Sequence, residues 1–258
     1  MSEKGIVFFP EREFIGTPYE WGIKSFEDVF FPAADGTRLH GWWVPGPDSR
    51  GVIVWFHGNA GNISHRLDNI RRLLDAVGFS IFIFDYREFG RSEGSISKAG
   101  TFLDAEGVLR YLTVERKLNP GEMLLFGRSL GTALAIHLAR SVEPLGMVLE
   151  AAFTGTLEIL RRYFPFGVPS SLTRTMYDNL LFIDAITCPI LFIHGANDQA
   201  IPISMGRTLY EKATAPKFFY EVPYADHNDT YFVGEETYFE RWRSFITFCL
   251  ERRGRPNF

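Results

Sequence analysis

Two serines in this 258-residue chain stand in the pattern G-x-S-x-G: Ser129 in GRSLG (127–131) and Ser92 in GRSEG (90–94). Glycines at those places let a chain turn sharply enough to lift a serine hydroxyl clear of its surroundings, ready for nucleophilic attack. The hydroxyl is a weak nucleophile alone. It needs a histidine to take its proton and a carboxylate to orient that histidine. Acyl transfer needs a third part, a pair of fixed amide donors for the oxyanion that develops on the substrate.

The flanks separate the two serines. Ser129 follows the apolar run EMLLFG and precedes LGTALAIHLAR, whose apolar residues recur at helical spacing. That order of strand, turn and helix is what a nucleophile elbow requires, and it aims the first amides of the helix at the reacting oxygen. GRSEG lies beyond the end of the run FSIFIFD and is followed by SISKAG, which reads as loop. Ser129 is therefore the candidate nucleophile, and Ser92 belongs to a polar turn bounded by glycines.

In a parallel sheet with crossover helices the partners lie later in the chain, acid before base, each in a loop after a strand. Of the six histidines, His227 alone lies late enough, in YADHND after the run KFFYEVP. His40 falls in a hairpin, His65 and His137 fall on helices, and His57 and His194 end strands too early. Asp198, in HGANDQAIP, is the candidate acid. Asp178 and Asp184 belong to the preceding insertion, while Asp226 and Asp229 flank His227 too closely to orient it. The oxyanion donors are expected to be the backbone amides of Leu130, next to the nucleophile, and Asn59, in the glycine-containing loop HGNAGN.

The elements that must position these residues are legible as apolar runs bounded by turns. GVIVWFH (51–57), FSIFIFD (79–85), EMLLFG (122–127), LGMVLEA (145–151), CPILFIHG (188–195) and KFFYEVP (217–223) read as strands covered on both faces. Ahead of them, residues 26–31 and 38–44 read as an antiparallel hairpin closed at Asp35-Gly36. Helical spacing marks 64–77, 101–117, 131–141, 203–213 and 235–251. The expectation is a single α/β domain over 1–258, with about eight mostly parallel strands and helices on both faces. Residues 153–187 are too many for a plain crossover and are broken by Pro165 and Pro169. They are expected to form a short cap whose Phe153, Tyr163, Phe164, Phe166 and Leu172 roof an acyl site.

Composition excludes several other classes. Apolar residues make up 46% and charged residues 22%, ordinary for a folded domain, and a net charge of −4 with scattered basic residues argues against nucleic-acid binding. No apolar run approaches the length of a membrane span, and GIVFF is too short for the apolar region of a signal peptide. Cys188 and Cys249 are too few for a disulfide framework or a zinc site and are expected to be buried thiols of a cytoplasmic protein.

Together, HGNAGN, DYREFGRSEG, GRSLG, HGANDQAIP and ADHND resemble the α/β-hydrolase superfamily. They look most like the small bacterial serine hydrolases related to the ABHD depalmitoylases, and the opening FFPEREFIGTPYEWGIKSFEDVFFPAADGTRLHGWWVP extends the resemblance over nearly the whole chain. The resemblance implies Ser129, Asp198 and His227 as a triad, with the amides of Asn59 and Leu130 as oxyanion hole. It assigns DYREFGRSEG, and with it Ser92, to the loop after the strand at 79–85. The expected activity is hydrolysis of small carboxylic esters or thioesters through an acyl-serine, without metal or other cofactor. A serine peptidase or amidase is the alternative within the class, weakened by the lack of a propeller-like second domain and of an acidic pocket for a peptide amino terminus. A non-catalytic, ligand-binding member of the fold is the alternative outside it.

Overall fold

The computed structural model describes residues 5, 7–164, 166–169 and 177–254. Eight strands form one sheet: β1 (Glu27–Pro32), β2 (Arg38–Val44), β3 (Asp48–Phe56), β4 (Phe79–Asp85), β5 (Met123–Arg128), β6 (Gly146–Glu150), β7 (Ile190–Gly195) and β8 (Lys217–Val222). Their order across the sheet is β8-β7-β6-β5-β3-β4-β2-β1. β1 pairs antiparallel with β2 and β2 antiparallel with β4, while every other pairing is parallel. Strands buried on both faces should be apolar on both, and β4 is: Ile81 and Ile83 face one core while Phe82 and Phe84 face the other.

The helices are α1 (Leu67–Val77), α2 (Lys98–Arg110), α3 (Leu130–Ala139), α4 (Thr156–Tyr163), α5 (Ile203–Lys212), α6 (Thr230–Val233) and α7 (Glu235–Arg253). α1 and α7 cover one face of the sheet, and α2, α3 and α5 cover the other. Two boundaries differ from the helical spacing of the sequence for local reasons. α2 begins at Lys98 because the Ser97 side chain accepts from the amide of Gly100 and caps it, and beyond Arg110 the chain widens into a π-turn over Tyr111–Glu115. The stretch expected to open α1 begins instead as a 3-10 turn over Ile63–Arg66, capped by Asn62.

The long connection between β6 and β7 contains α4, which the prolines downstream had obscured in the sequence. Its two ends are stitched together. Thr156 N–H donates to the Tyr177 carbonyl at 2.9 Å, Leu180 N–H to the Thr154 carbonyl at 3.0 Å, and Asn179 Nδ2 to the Phe153 carbonyl at 2.9 Å. Cys188 and Cys249 are free and buried, and burial pushes both thiols up to about 12, which leaves them inert at neutral pH.

The carboxyl end of the sheet is closed by the approach of α3 to β5 and β3. A Cβ placed on Gly131 would lie 1.9 Å from the Phe56 carbonyl oxygen, and one on Gly127 would lie 2.5 Å from the Gly131 carbonyl oxygen. Neither backbone atom can move without separating a helix from the sheet. Gly131→Ala should therefore lower the unfolding free energy by about 3 kcal/mol or more in urea denaturation. Gly254→Ala, whose added atom meets nothing nearer than 3.7 Å, should change it by under about 0.5 kcal/mol. Equal, small effects would show that the close approach is not a packing constraint.

Candidate active site

The turn from β5 into α3 puts Ser129 at φ +52° and ψ −118°, a region that residues with a side chain rarely occupy. The strained conformation is held from both sides. Ser129 N–H donates to the Glu150 carbonyl at 2.9 Å, and the Ser129 carbonyl accepts from Thr132 N–H at 3.0 Å and Thr132 Oγ1 at 2.7 Å. The amide of Leu130 opens α3, where a helix leaves its first N–H groups without internal partners.

Asn59 follows β3 and faces the same place. Its carbonyl accepts from Phe9 N–H at 2.9 Å and its Nδ2 donates to the Val7 carbonyl at 2.6 Å, so the beginning of the chain brackets this residue. Of the two glycines in HGNAGN, only Gly61 has a glycine-type conformation, at φ +76°. Gly58 does not, and a Cβ there would meet the Ser129 Cβ at an ordinary 3.6 Å. Behind the loop, Tyr86 Oη donates to the His57 carbonyl and His57 Nδ1 donates to the Gly58 carbonyl, both at 2.7 Å. His57 Nε2 then lies 3.5 Å from Asp85 Oδ1.

Asp198 lies in the loop after β7 and His227 in the loop after β8. His227 Nδ1 is 2.8 Å from Asp198 Oδ2, and Asp198 Oδ1 accepts from the amides of Ala200 and Ile201 at 2.9 and 2.7 Å. Burial alone would raise the Asp198 carboxyl. Hydrogen bonds from His194 and His227, the His227 charge and the Ile201 amide outweigh it and hold the group below the usual carboxylate range. His194 Nε2 sits 2.9 Å from the Ile201 carbonyl and 3.5 Å from Asp198 Oδ2. Asp226 Oδ1 binds the amides of His227 and Gln199, at 2.7 and 2.8 Å, so that side chain shapes the loop.

Ser129, Leu130, Asn59 and His227 border one cavity of about 490 Å³ with a mainly apolar lining, a size that suits a small organic ligand. Asp198 is buried behind His227. Phe164 lines the cavity, as does Phe153, whose side chain also belongs to the core. Phe166 does not: it is fully exposed, and apolarity in the sequence does not distinguish a lining position from an outward one. Ile159 and Leu160, on the inner side of α4, take the place expected for it. Leu172 and the Tyr163 side chain lie outside the described residues. Sequence reasoning also missed Val7 and Phe9, which form a wall from the start of the chain. Their signal was the run GIVFF, apolar and bounded by charge.

The model of the α/β hydrolase fold family matches residues 51–181, a span that includes Asn59, Ser129 and Leu130. The chain is 32% identical over 243 residues, covering 86% of it and 78% of the relative, to the alpha/beta hydrolase domain-containing protein WAV2 of Arabidopsis thaliana. It is 31% identical to the protein bem46 of Schizosaccharomyces pombe, again over 86% of this chain and 78% of that one. The chain belongs to the α/β-hydrolase family. Among solved structures it is similar to an esterase of Pyrococcus furiosus, with a TM-score of 0.77 at 22% identity over 93% of this chain and 98% of the other, which shows the shared fold. Among the described residues no helix is long and apolar enough to cross a membrane, and no group of three His, Cys, Asp or Glu is placed to hold a metal ion.

The second G-x-S-x-G of this α/β hydrolase is placed differently. Ser92 is fully buried, its Oγ donating to the Asp85 carbonyl at 2.6 Å and accepting from His40 N–H at 2.9 Å. Ser92→Ala would orphan both backbone groups and should cost about 1–3 kcal/mol in denaturant unfolding. Its kcat/KM on an activated ester should stay within about tenfold of the parent. A loss of activity without loss of stability would place Ser92 in the chemistry instead.

Proposed function

We propose that this α/β hydrolase cleaves carboxylic esters or thioesters through an acyl-serine intermediate, with Ser129 as nucleophile, His227 as base and Asp198 as orienting acid. The observation that carries the reading is a strained serine and a histidine on the border of one cavity, the histidine tied to a buried carboxylate at 2.8 Å. His227 Nδ1–H donates to Asp198, which leaves Nε2 unprotonated to accept the Ser129 proton as Oγ attacks the acyl carbon. The amides of Asn59 and Leu130 receive the oxyanion. The imidazolium then protonates the departing alcohol or thiol, and a water activated by the same histidine releases the acid. An apolar cavity beside the serine favours an acyl chain over a charged group, and Thr156, Ile159, Leu160 and Phe164, from the connection between β6 and β7, form part of its wall.

A fluorophosphonate probe tests the assignment directly. It should label the parent protein and not Ser129→Ala, whose kcat on p-nitrophenyl butyrate should fall by roughly four to six powers of ten with the fold intact. Equal labelling of both would overturn the nucleophile. A peptide amide in the same assay separates an esterase from a peptidase.

The pH profile follows from the two charged partners. Protonated His227 cannot accept the serine proton, so kcat/KM should rise with pH through a single ionisation. Asp198, held below the ordinary carboxylate value of about 4, stays ionised through that range and adds no second limb. Because its value is depressed in the folded state, the stability Asp198 contributes is present above its unfolded value and lost as pH falls through the folded one. The decline in Tm below about pH 4 should therefore be weaker in Asp198→Asn, whose kcat should drop on the order of 10⁴-fold. Near-normal turnover in that variant would remove Asp198 from the site.

Chain length reports on the cavity. Each acyl methylene it buries should add about 0.8 kcal/mol, close to a factor of four in kcat/KM. Across a p-nitrophenyl ester series, acyl chains of about four to eight carbons should outperform acetyl and palmitoyl, as a cavity of this size fills. Phe164→Ala and Leu160→Ala should flatten that preference while turnover of short esters continues. A strong preference for palmitoyl thioesters would contradict the small-cavity reading.

A further inference from the structure

Arg128 and Glu150 stand directly opposite each other in the register of β5 and β6, both buried, with Arg128 Nε 3.2 Å from Glu150 Oε1. Desolvating two charges offsets most of their attraction, so a buried pair is weak as a source of stability. The remaining bonds of this pair show where its strength is directed. Arg128 Nη2 donates to the His227 carbonyl at 2.8 Å and approaches Asn228 Oδ1 at 3.4 Å. Thr230 Oγ1, three residues further along, donates to Glu150 Oε1 at 2.7 Å, and Tyr238 Oη of α7 donates to Oε2 at 2.6 Å. Burial, followed by the Glu150 charge, holds the Tyr238 hydroxyl well above its ordinary value and keeps it a donor. The backbone carbonyl of the same Glu150 accepts from Ser129 N–H at 2.9 Å.

One charged pair thus grips the backbone of the nucleophile and both ends of the segment 227–230. Asp198 can set how the imidazole is rotated, through Nδ1, but it does not fix how far the loop stands from the serine. That distance depends on what ties the loop to β5, and among the described residues that tie is the guanidinium of the residue immediately before Ser129.

We propose that Arg128 is a positioning residue that sets the separation of the His227 imidazole from Ser129, with Glu150 as the anchor that orients its guanidinium. The proposal rests on the triad reading above. Arginine suits the task because its planar fork offers Nε to the carboxylate and Nη2 to the carbonyl in fixed directions, which a lysine ammonium cannot reproduce. The apolar variant Arg128→Met alone would strand a buried Glu150. The double variant Arg128→Met/Glu150→Gln removes both charges while abolishing the bond to His227, and keeps the test open if the single variant fails to fold.

For the folded double variant, kcat on p-nitrophenyl butyrate should fall roughly 100-fold, the scale of a catalytic group displaced by about 1 Å. KM should stay within about threefold, since the acyl cavity is untouched. Arg128→Lys should recover folding stability but not kcat. Combined with Asp198→Asn, the losses should be smaller than their product, because both act through the same imidazole. The downfield proton resonance of His227 Nδ1–H should shift or broaden in the double variant while the rest of the spectrum stays dispersed. Parent-like kcat and an unmoved resonance would sink the proposal, as would full rescue by lysine or losses that multiply. Retained labelling and turnover in Ser129→Ala would instead overturn the triad reading, and this proposal with it.

Discussion

The strained backbone at Ser129 is the constraint on which the carboxyl end of the sheet depends. A residue with a side chain in this conformation is destabilised by about 1–3 kcal/mol, and it persists only where the surroundings allow no relaxation. Here β5 enters the turn paired along both edges and α3 leaves it against the sheet, with no room for a side chain at Gly127 or Gly131. The amide of Ser129 is held by β6 and its carbonyl by Thr132. Both backbone groups of Ser129 are thus bonded, which holds the strained turn at the border of the cavity.

Around that point the molecule separates polar from apolar. Behind the serine and the histidine lie buried, bonded groups: Asp198 with two loop amides, and the Arg128–Glu150 pair with Thr230 and Tyr238. In front lies a cavity walled by Val7, Phe9, Ile159, Leu160 and Phe164. A low-dielectric setting strengthens the bonds on the polar side as long as none is left open. The same setting makes the cavity a poor place for charge and a good one for hydrocarbon. The chemistry proposed here needs both, side by side.

The fold was legible because parallel strands covered on both faces must be apolar without alternation, and the runs that became these strands are of that kind. FSIFIFD matches β4 residue for residue, and the other runs differ from their strands by a few residues at most. Ends and irregular turns were harder. The start of α2 depends on a single serine cap, and α4 was hidden by prolines that lie beyond its last turn rather than within it. The insertion was recognisable by length, but which of its aromatics face inward depends on how α4 is tethered through Thr156, Asn179 and Tyr177. Phe166 points to solvent although its neighbour two positions earlier lines the cavity.

The sequence by itself determined which serine stands on an elbow, since strand, turn and helix there are made by adjacent residues and obey local rules. It also determined that Asp198 and His227, the acid and base proposed above, follow in loops after later strands, because the order of loops along a parallel sheet is the order of the chain. The tertiary structure decided everything that joins distant segments. Asn59 is bracketed by Val7 and Phe9, and Arg128 reaches the carbonyl of His227 beside a glutamate contributed by the neighbouring strand. No local pattern encodes such meetings. They follow from strand order, register and the packing of loops over the sheet's end, where residues far apart in the chain are brought within a hydrogen bond of one another.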